Sequence, residues 1–394
     1  MRILLIGERA RAHNGGLNRV VTETCTGLAH AGHEVGLAYH NDEPEVDGID
    51  LFRLSRGGTA EEVAEAHARF RPDVVQVHYL ADPGILPAIV GLGPTSVFLH
   101  DQTWFCSVGD RMTPDSRPCH RPHGVACLAW HYAQRCGGLK PWDNWNLWKY
   151  TRQLAALKGL RSARIQVASR FMASGLAENG YEMERVDVVP LFSEPPPADA
   201  EVEPALVLLP SRLVPAKGVQ VALDALAMIH QTPWRLAVAG DGWRRGELET
   251  QARRLGIADR VRFLGEIPPA ELATWYARSQ LVLFPVLRQE PFGLVGVESL
   301  AYGKPIVAFA GGAVDEWLWP GETGLRVDVR SADAFAAAIR ELLTDPARCE
   351  VMGAAARQRY PQFRPEAYIG RLVASFERTL GWAAKTAPVG PTGR

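Results

Sequence analysis

Two acids, Glu290 and Glu298, are separated by seven residues in the run Gln289-Glu290-Pro291-Phe292-Gly293-Leu294-Val295-Gly296-Val297-Glu298. The run follows the apolar segment Leu281–Pro285 and leads into a helical pattern that ends at Tyr302-Gly303-Lys304-Pro305. A helix that starts near Gly293 has free amides around Leu294 and Val295, and such an end binds anions. Glu290 then lies in the loop before the helix and Glu298 about one turn inside it. Carboxylates so placed can accept hydrogen bonds from sugar hydroxyls while the amides between them hold phosphate. The spacing also fits a capping or paired acid and a solvated loop acid.

A second group of residues, Arg212 and Lys217, lies in Pro210-Ser211-Arg212-Leu213-Val214-Pro215-Ala216-Lys217-Gly218, directly after an apolar run. A planar guanidinium and a point-charge ammonium across a Pro-containing turn suit a diphosphate, as they also suit an exposed basic loop. Near the start of the chain, His13-Asn14-Gly15-Gly16 follows the first apolar run, and two glycines let a backbone approach a ligand closely. His100-Asp101 ends another apolar run, where a His can bond a sugar hydroxyl or a phosphate, or merely cap the strand.

These residues need a scaffold that gathers loops from distant parts of the chain. Short Val/Ile/Leu runs alternate with helical patterns throughout, which predicts strands buried on both faces and parallel sheets covered by helices. The first series is Arg2–Ile6, Val35–His40, Asp50–Leu54, Val74–Tyr79, Thr95–His100, Arg164–Ala168 and Val186–Leu191. The second is Leu206–Pro210, Arg235–Ala239, Val261–Leu264, Leu281–Pro285, Pro305–Phe309 and Leu325–Val327. Residues 192–204 between them carry four prolines and four acids and read as a stiff linker. At 394 residues the chain exceeds one ordinary core, which stops growing near ~250–300 residues. The fold class is therefore α/β, two doubly wound Rossmann-like domains facing across a cleft. The first domain spans 1–191, with a Cys-bearing insertion at 101–140, and the second spans 205–364. A helix at Pro365–Trp382 follows, and 383–394 reads as a disordered tail. Each doubly wound sheet places its ligand loops at the carboxyl ends of its strands.

The formal net charge of −1 argues against a dedicated nucleic-acid binder. No uncharged apolar stretch of ~18 residues is present, so no span is predicted and the expected location is cytoplasmic.

In order along the chain, Ser211-Arg212-Leu213, Lys217-Gly218, Ala239-Gly240-Asp241-Gly242, Phe263-Leu264-Gly265, Glu290-Pro291-Phe292-Gly293, Glu298, Gly303-Lys304-Pro305 and Gly311-Gly312 resemble glycosyltransferase family 4. Glu316 and Gly321-Glu322-Thr323-Gly324 complete the set. Members of this family are retaining GT-B enzymes. The resemblance covers nearly the whole chain and is strongest over about 205–330. It implies transfer of a hexosyl group from a nucleoside-diphosphate sugar, UDP being the expected nucleotide, to an acceptor hydroxyl on a polysaccharide, lipid-linked or small natural-product acceptor. Glu290 resembles the acid on the donor sugar hydroxyls, Glu298 the acid on the ribose, and Arg212 with Lys217 the pair on the diphosphate. Gly16 matches the loop near the donor phosphates, Phe292, Gly293, Leu294 and Val295 the backbone around sugar and phosphate, and Ile267 the nucleobase pocket. His100, or Asp101 beside it, matches the first-domain contact to the donor sugar. The helix at Pro365–Trp382 is expected to cross back onto the first domain. The family implies front-face attack, with the leaving phosphate helping to deprotonate the acceptor. No Asp-x-Asp pair is present, in keeping with catalysis that needs no metal cofactor.

Some features fit less simply. Gly240-Asp241-Gly242-Trp243-Arg244-Arg245-Gly246 imitates a dinucleotide fingerprint with its third Gly one position late, which a dehydrogenase would explain at the expense of everything else. Cys106, Cys119, Cys127 and Cys136 crowd the insertion and are a candidate structural zinc site, although no Cys-x-x-Cys spacing occurs. Reduced buried thiols are the alternative. Residues 141–170 combine Trp142, Trp145 and Trp148 with a net charge of +5 (six basic, one acidic), which suits peripheral contact with the inner face of an anionic membrane. A Trp face packed beneath the Cys insertion, with the charges as a solvated surface, is the reading these residues favour. Alternatives to the transferase are a nucleotide-sugar epimerase or hydrolase on the same fold, and a catalytically silent binding subunit.

Overall fold

The computed structural model describes residues 1–7, 16–40, 44, 46–55, 58–80, 82–106, 109, 111–113, 118–134, 157 and 159–386. The chain divides into two compact units, residues 1–191 together with the chain from Pro365, and Phe192–Arg364.

The first unit is built on a parallel sheet of β1 (Arg2–Gly7), β2 (Glu34–Tyr39), β3 (Asp50–Arg53), β4 (Val74–Tyr79), β5 (Thr95–Leu99), β6 (Arg164–Val167) and β7 (Val186–Val188). Their spatial order is β3-β2-β1-β4-β5-β6-β7. Ile3, Leu4, Leu5 and Ile6 of β1 are fully buried, as a central strand covered on both faces must be. The order reverses between β1 and β4, the kind of switch point at whose carboxyl edge doubly wound sheets bind ligands.

A buried polar chain ties the closing helix Pro365–Thr386 to this sheet. Gln76 Nε2 donates to Gln166 Oε1 at 2.7 Å, and Gln166 Nε2 donates to Ser375 Oγ at 2.8 Å. Ser375 Oγ donates to Asp187 Oδ2 at 2.6 Å. Asp187 also accepts from Arg164 Nη2 at 3.0 Å and from Arg378 Nε at 2.9 Å. Tyr368, fully buried on the same helix, meets Thr24 of the helix Gly16–His30 at 3.2 Å.

The second unit carries β8 (Leu206–Pro210), β9 (Arg235–Ala239), β10 (Val261–Gly265), β11 (Leu281–Phe284), β12 (Ile306–Phe309) and β13 (Gly324–Val327). The order is β10-β9-β8-β11-β12-β13, again all parallel, with the reversal between β8 and β11. Its core runs from Val207, Leu209 and Leu223 through Leu281 and Leu283 to Phe309, Phe335 and Ile339.

All thirteen apolar runs are strands. Two boundaries move by more than one residue, each for a local reason. β7 stops at Val188 rather than reaching Leu191, and Pro190 cannot donate to a ladder. The last helix continues to Thr386 instead of giving way to a tail after Trp382, because Ala383-Ala384-Lys385 are good helix formers and the first breaker is Pro388. No helix among the described residues is long and apolar enough to cross a membrane.

Candidate functional site

In the second unit the loops after β8 and β11, the two strands at the reversal, meet. The first contains the turn Pro215–Lys217 and ends at Gly218, which has φ of 73°. A Cβ there would lie 1.8 Å from the carbonyl oxygen of Pro285, so only glycine lets the two loops touch. The contact is sealed by the Leu287 amide donating to Ala216 O at 2.9 Å. From the other side, Gly312 (φ 64°) presses on the backbone of Glu290, where a Cβ would come within 2.1 Å. The Gly312 amide donates to Gln289 Oε1 at 2.5 Å and the Ala313 amide to Glu290 O at 2.8 Å.

This clamp fixes Glu290 against Lys217. Lys217 Nζ donates to Glu290 Oε2 at 2.8 Å, and Arg288 Nε lies 3.6 Å from the same oxygen. Glu290 is buried, at 8 % exposure. Burial pushes its carboxyl up, but Lys217 and Arg288 outweigh burial and hold it below the usual carboxylate range. Burial lowers the Lys217 ammonium, Glu290 opposes that, and Arg288 and Arg212 lower it further. One carboxylate thus holds two cations, Lys217 and Arg288, and the charge of Arg212 is felt at Lys217. Arg212 is exposed, and among the described residues it forms no ion pair.

The helix Leu294–Ala301 begins four residues beyond Glu290, with Gly293 (φ 96°) at its N-cap and no side chain capping it. Its first amides and its dipole favour an anion. Inside the helix, Glu298 Oε2 accepts from the Tyr276 hydroxyl at 2.8 Å. The Tyr276 ring is buried and stacks on Tyr302 at 5.0 Å between centroids. Burial, then the charge of Glu298, pushes the Tyr276 phenol well above its ordinary value, so it remains a donor to the carboxylate. Phe292 turns its ring inward against Phe363, and its carbonyl accepts from Trp317 Nε1 at 2.6 Å. Ile267 is half-buried in the loop after β10.

In the first unit Gly16 opens the helix Gly16–His30, while residues 8–15 lie outside the described residues. His100 follows β5, and its Nε2 is 3.0 Å from Nδ1 of His78 at the end of β4. Burial lowers both imidazoles, that of His78 to about 3. Asp101 is exposed and spends one oxygen on the Thr103 amide at 2.9 Å, capping the turn Gln102–Trp104.

Three residues of this arrangement escaped the sequence reading. Arg288 and Tyr276 had no motif to mark them. His78 had a signal, a His at the carboxyl end of a strand neighbouring that of His100.

The expected zinc site is not supported. Cys106, Cys119 and Cys127 are free thiols, and among the described residues no group of three or more His, Cys, Asp or Glu could hold a metal ion. Burial pushes the Cys127 thiol up, against the deprotonation that ligation requires, and His120 Nδ1 is 2.9 Å from Glu178. Cys136 and residues 141–156, with the three Trp, lie outside the described residues.

Comparison with known proteins bears on the family and the fold. The family Glycosyltransferase Family 4 matches residues 14–192, and Glycosyl transferases group 1 matches residues 194–359. D-inositol 3-phosphate glycosyltransferase of Thermobispora bispora is 37% identical over 205 residues, 49% of this chain and 47% of that protein. The chain spans about half the length of the curated relatives it matches. Among solved structures, sucrose-phosphate synthase from Thermosynechococcus elongatus superposes with a TM-score of 0.72 at 21% identity, covering 97% of this chain and 99% of that one. Anabaena HepE, solved in complex with UDP, gives a TM-score of 0.70 at 18% identity over 96% and 100%. These likenesses give the fold as GT-B. With both halves matched in order, the chain belongs to glycosyltransferase family 4.

Proposed function

We propose that this protein is a retaining glycosyltransferase that moves a sugar from a nucleoside-diphosphate sugar to an acceptor hydroxyl. The observation that carries the reading is the charge arrangement after β8 and β11. The carboxylate of Glu290 pairs with Lys217 and Arg288, and the charge of Arg212 acts on Lys217, so the site keeps a net positive charge beside an uncapped helix end. Such a site favours a diphosphate, and its cations stabilise the charge that grows on the leaving group. In this reading Arg212 and Lys217 bind the diphosphate, with Gly293, Leu294 and Val295 supplying backbone contacts and Phe292 anchoring that backbone. Glu290 accepts from donor-sugar hydroxyls, and Glu298, held by Tyr276, accepts from the ribose. Ile267 borders the base. Gly16 and His100, with Asp101 as its neighbour, supply the first unit's contacts to the donor.

No carboxylate nucleophile is invoked. The leaving phosphate takes the acceptor proton as the acceptor oxygen attacks, and the configuration at the anomeric carbon is retained. UDP as the nucleotide is supported by the similarity to HepE, whose structure contains it. The acceptor hydroxyl belongs to a carbohydrate, a lipid-linked sugar or a small molecule.

The test is slow hydrolysis of UDP-glucose, GDP-mannose and their relatives in the absence of acceptor, with the released anomer followed by proton NMR. Turnover of one donor that Glu290→Ala abolishes, with the initial product keeping the donor's anomeric configuration, supports the reading. Equal turnover in wild type and Glu290→Ala overturns the assignment of this site, and an inverted product overturns retention.

A further inference from the structure

His78 and His100 stand at the carboxyl ends of adjacent strands, β4 and β5, and their rings are locked in a stack with Phe98. His78 and Phe98 lie 5.7 Å apart with an interplanar angle of 15°, Phe98 and His100 4.6 Å apart at 25°. His78 Nδ1 and His100 Nε2 are 3.0 Å apart, so one of the two nitrogens carries a proton and the other is bare. The remaining nitrogen of His78, Nε2, is buried and has no hydrogen-bond partner among the described residues. A buried N–H without an acceptor is among the rarest defects in a folded protein, and an unused acceptor is tolerated more readily. The bare nitrogen of His78 is therefore Nε2, and its proton is on Nδ1. His78 donates, His100 Nε2 accepts, and a neutral His100 must carry its own proton on Nδ1.

We propose that His78 is a positioning residue for the transfer reaction, whose Nδ1–H holds His100 in one ring orientation and in the tautomer that offers an N–H from Nδ1 to an oxygen of the donor sugar. The proposal rests on the reading of His100 as a donor contact. It makes His100 a neutral donor, suited to a hydroxyl or ring oxygen, and unsuited to taking a proton through Nε2. Which nitrogen of a His is protonated is set by the bond the other one makes, and here His78 makes that bond.

Long-range nitrogen–proton correlation spectra of the labelled full chain at neutral pH read the tautomer directly. The expected result is a protonated Nδ1 and a bare Nε2 on His100. A proton on His100 Nε2 overturns the proposal whether or not the enzyme is active. Two variants supply the kinetic arm, with UDP-glucose hydrolysis as the probe. His78→Asn places an amide N–H where Nδ1 was, and keeps kcat within about threefold of wild type. His78→Phe keeps a flat ring without the donor, and lowers kcat by roughly 10–100-fold at little cost in KM, the scale seen when the partner that orients a metal-bound His is removed. Equal loss in both variants, with folded circular dichroism spectra, contradicts a role for the hydrogen bond. If His78→Phe fails to fold, rescue by His78→Asn and the spectrum decide. If wild type turns over no donor, or His100→Ala matches it, the reading of His100 fails while the spectrum still decides the role of His78.

Discussion

Glu290 earns its place by what surrounds it. A buried carboxylate with two cations on one oxygen is ionised at neutral pH, and it in turn opposes the burial that lowers the Lys217 ammonium. Glu290→Gln removes the charge and keeps the shape. It is expected to lower donor turnover by on the order of 10²-fold or more, the scale of losing one preorganised electrostatic partner, measurable as kcat on the donor. Tyr276→Phe deletes the hydroxyl that holds Glu298 and leaves the stacked ring. A hydrogen bond to a charged group is worth about 1.5–3 kcal/mol, so the donor KM should rise by roughly tenfold or more, up to about 100-fold, with kcat little changed. Unchanged KM would show that Glu298 needs no such support. Glu290, Glu298, Arg212 and Lys217 were legible in the sequence because they sit at fixed offsets from strand ends and a helix start. Tyr276 was not, since it reaches Glu298 only when the helix Pro269–Arg278 packs beside Leu294–Ala301. Arg288 reads as one more loop cation until the fold sets it beside a buried acid.

The elements hold these residues through close backbone contacts and buried charge. Gly218→Ala would place a methyl in the Pro285 carbonyl at a φ of 73°. Strain of this kind costs about 1–3 kcal/mol before the clash is added, so urea denaturation should show a loss at least that large, together with weaker diphosphate binding. An Ala variant as stable as wild type would mean that the loop contact is dispensable. In the first unit, Asp187→Ala strands buried Arg164, a change that costs about 3–5 kcal/mol in comparable pairs. The closing helix should then loosen, read as faster amide exchange around Ser375 and Arg378. The strands were legible because each is buried on both faces and so runs apolar without alternation. The Gln76–Gln166–Ser375–Asp187 chain was hidden, because its polar residues lie on four separate elements and look, in sequence, like interruptions of apolar runs.

For the molecule as a whole, folding shields the His78–His100 pair from protons. His78 drops from 6.5 to about 3 on folding, and burial with the neighbouring ring lowers His100 as well. Below pH 6.5 the unfolded chain binds protons that the folded chain refuses, so the stability from this pair is complete above 6.5 and falls as the pH drops toward 3. The slope is at most about 1.4 kcal/mol per pH unit for each His. His78→Asn should flatten the denaturation free energy between pH 6 and 4 relative to wild type, and parallel curves would show that His78 titrates freely. Two sheets of the same design, each reversing its strand order once, were foreseeable from two series of apolar runs and a Pro-rich break. The nucleobase and the acceptor were not, since pocket shape and backbone rather than a residue pattern select them. The most direct measurement is thermal stability in the presence of UDP, GDP, TDP, ADP and NAD, beside Arg212→Ala. At ~100 times its dissociation constant a ligand stabilises by about 2.7 kcal/mol, a shift of several degrees. One nucleoside diphosphate should raise the melting temperature of wild type and leave that of Arg212→Ala nearly unmoved. A shift with NAD alone, or an equal diphosphate shift in both proteins, would contradict the diphosphate site assigned to Arg212, Lys217 and the helix Leu294–Ala301.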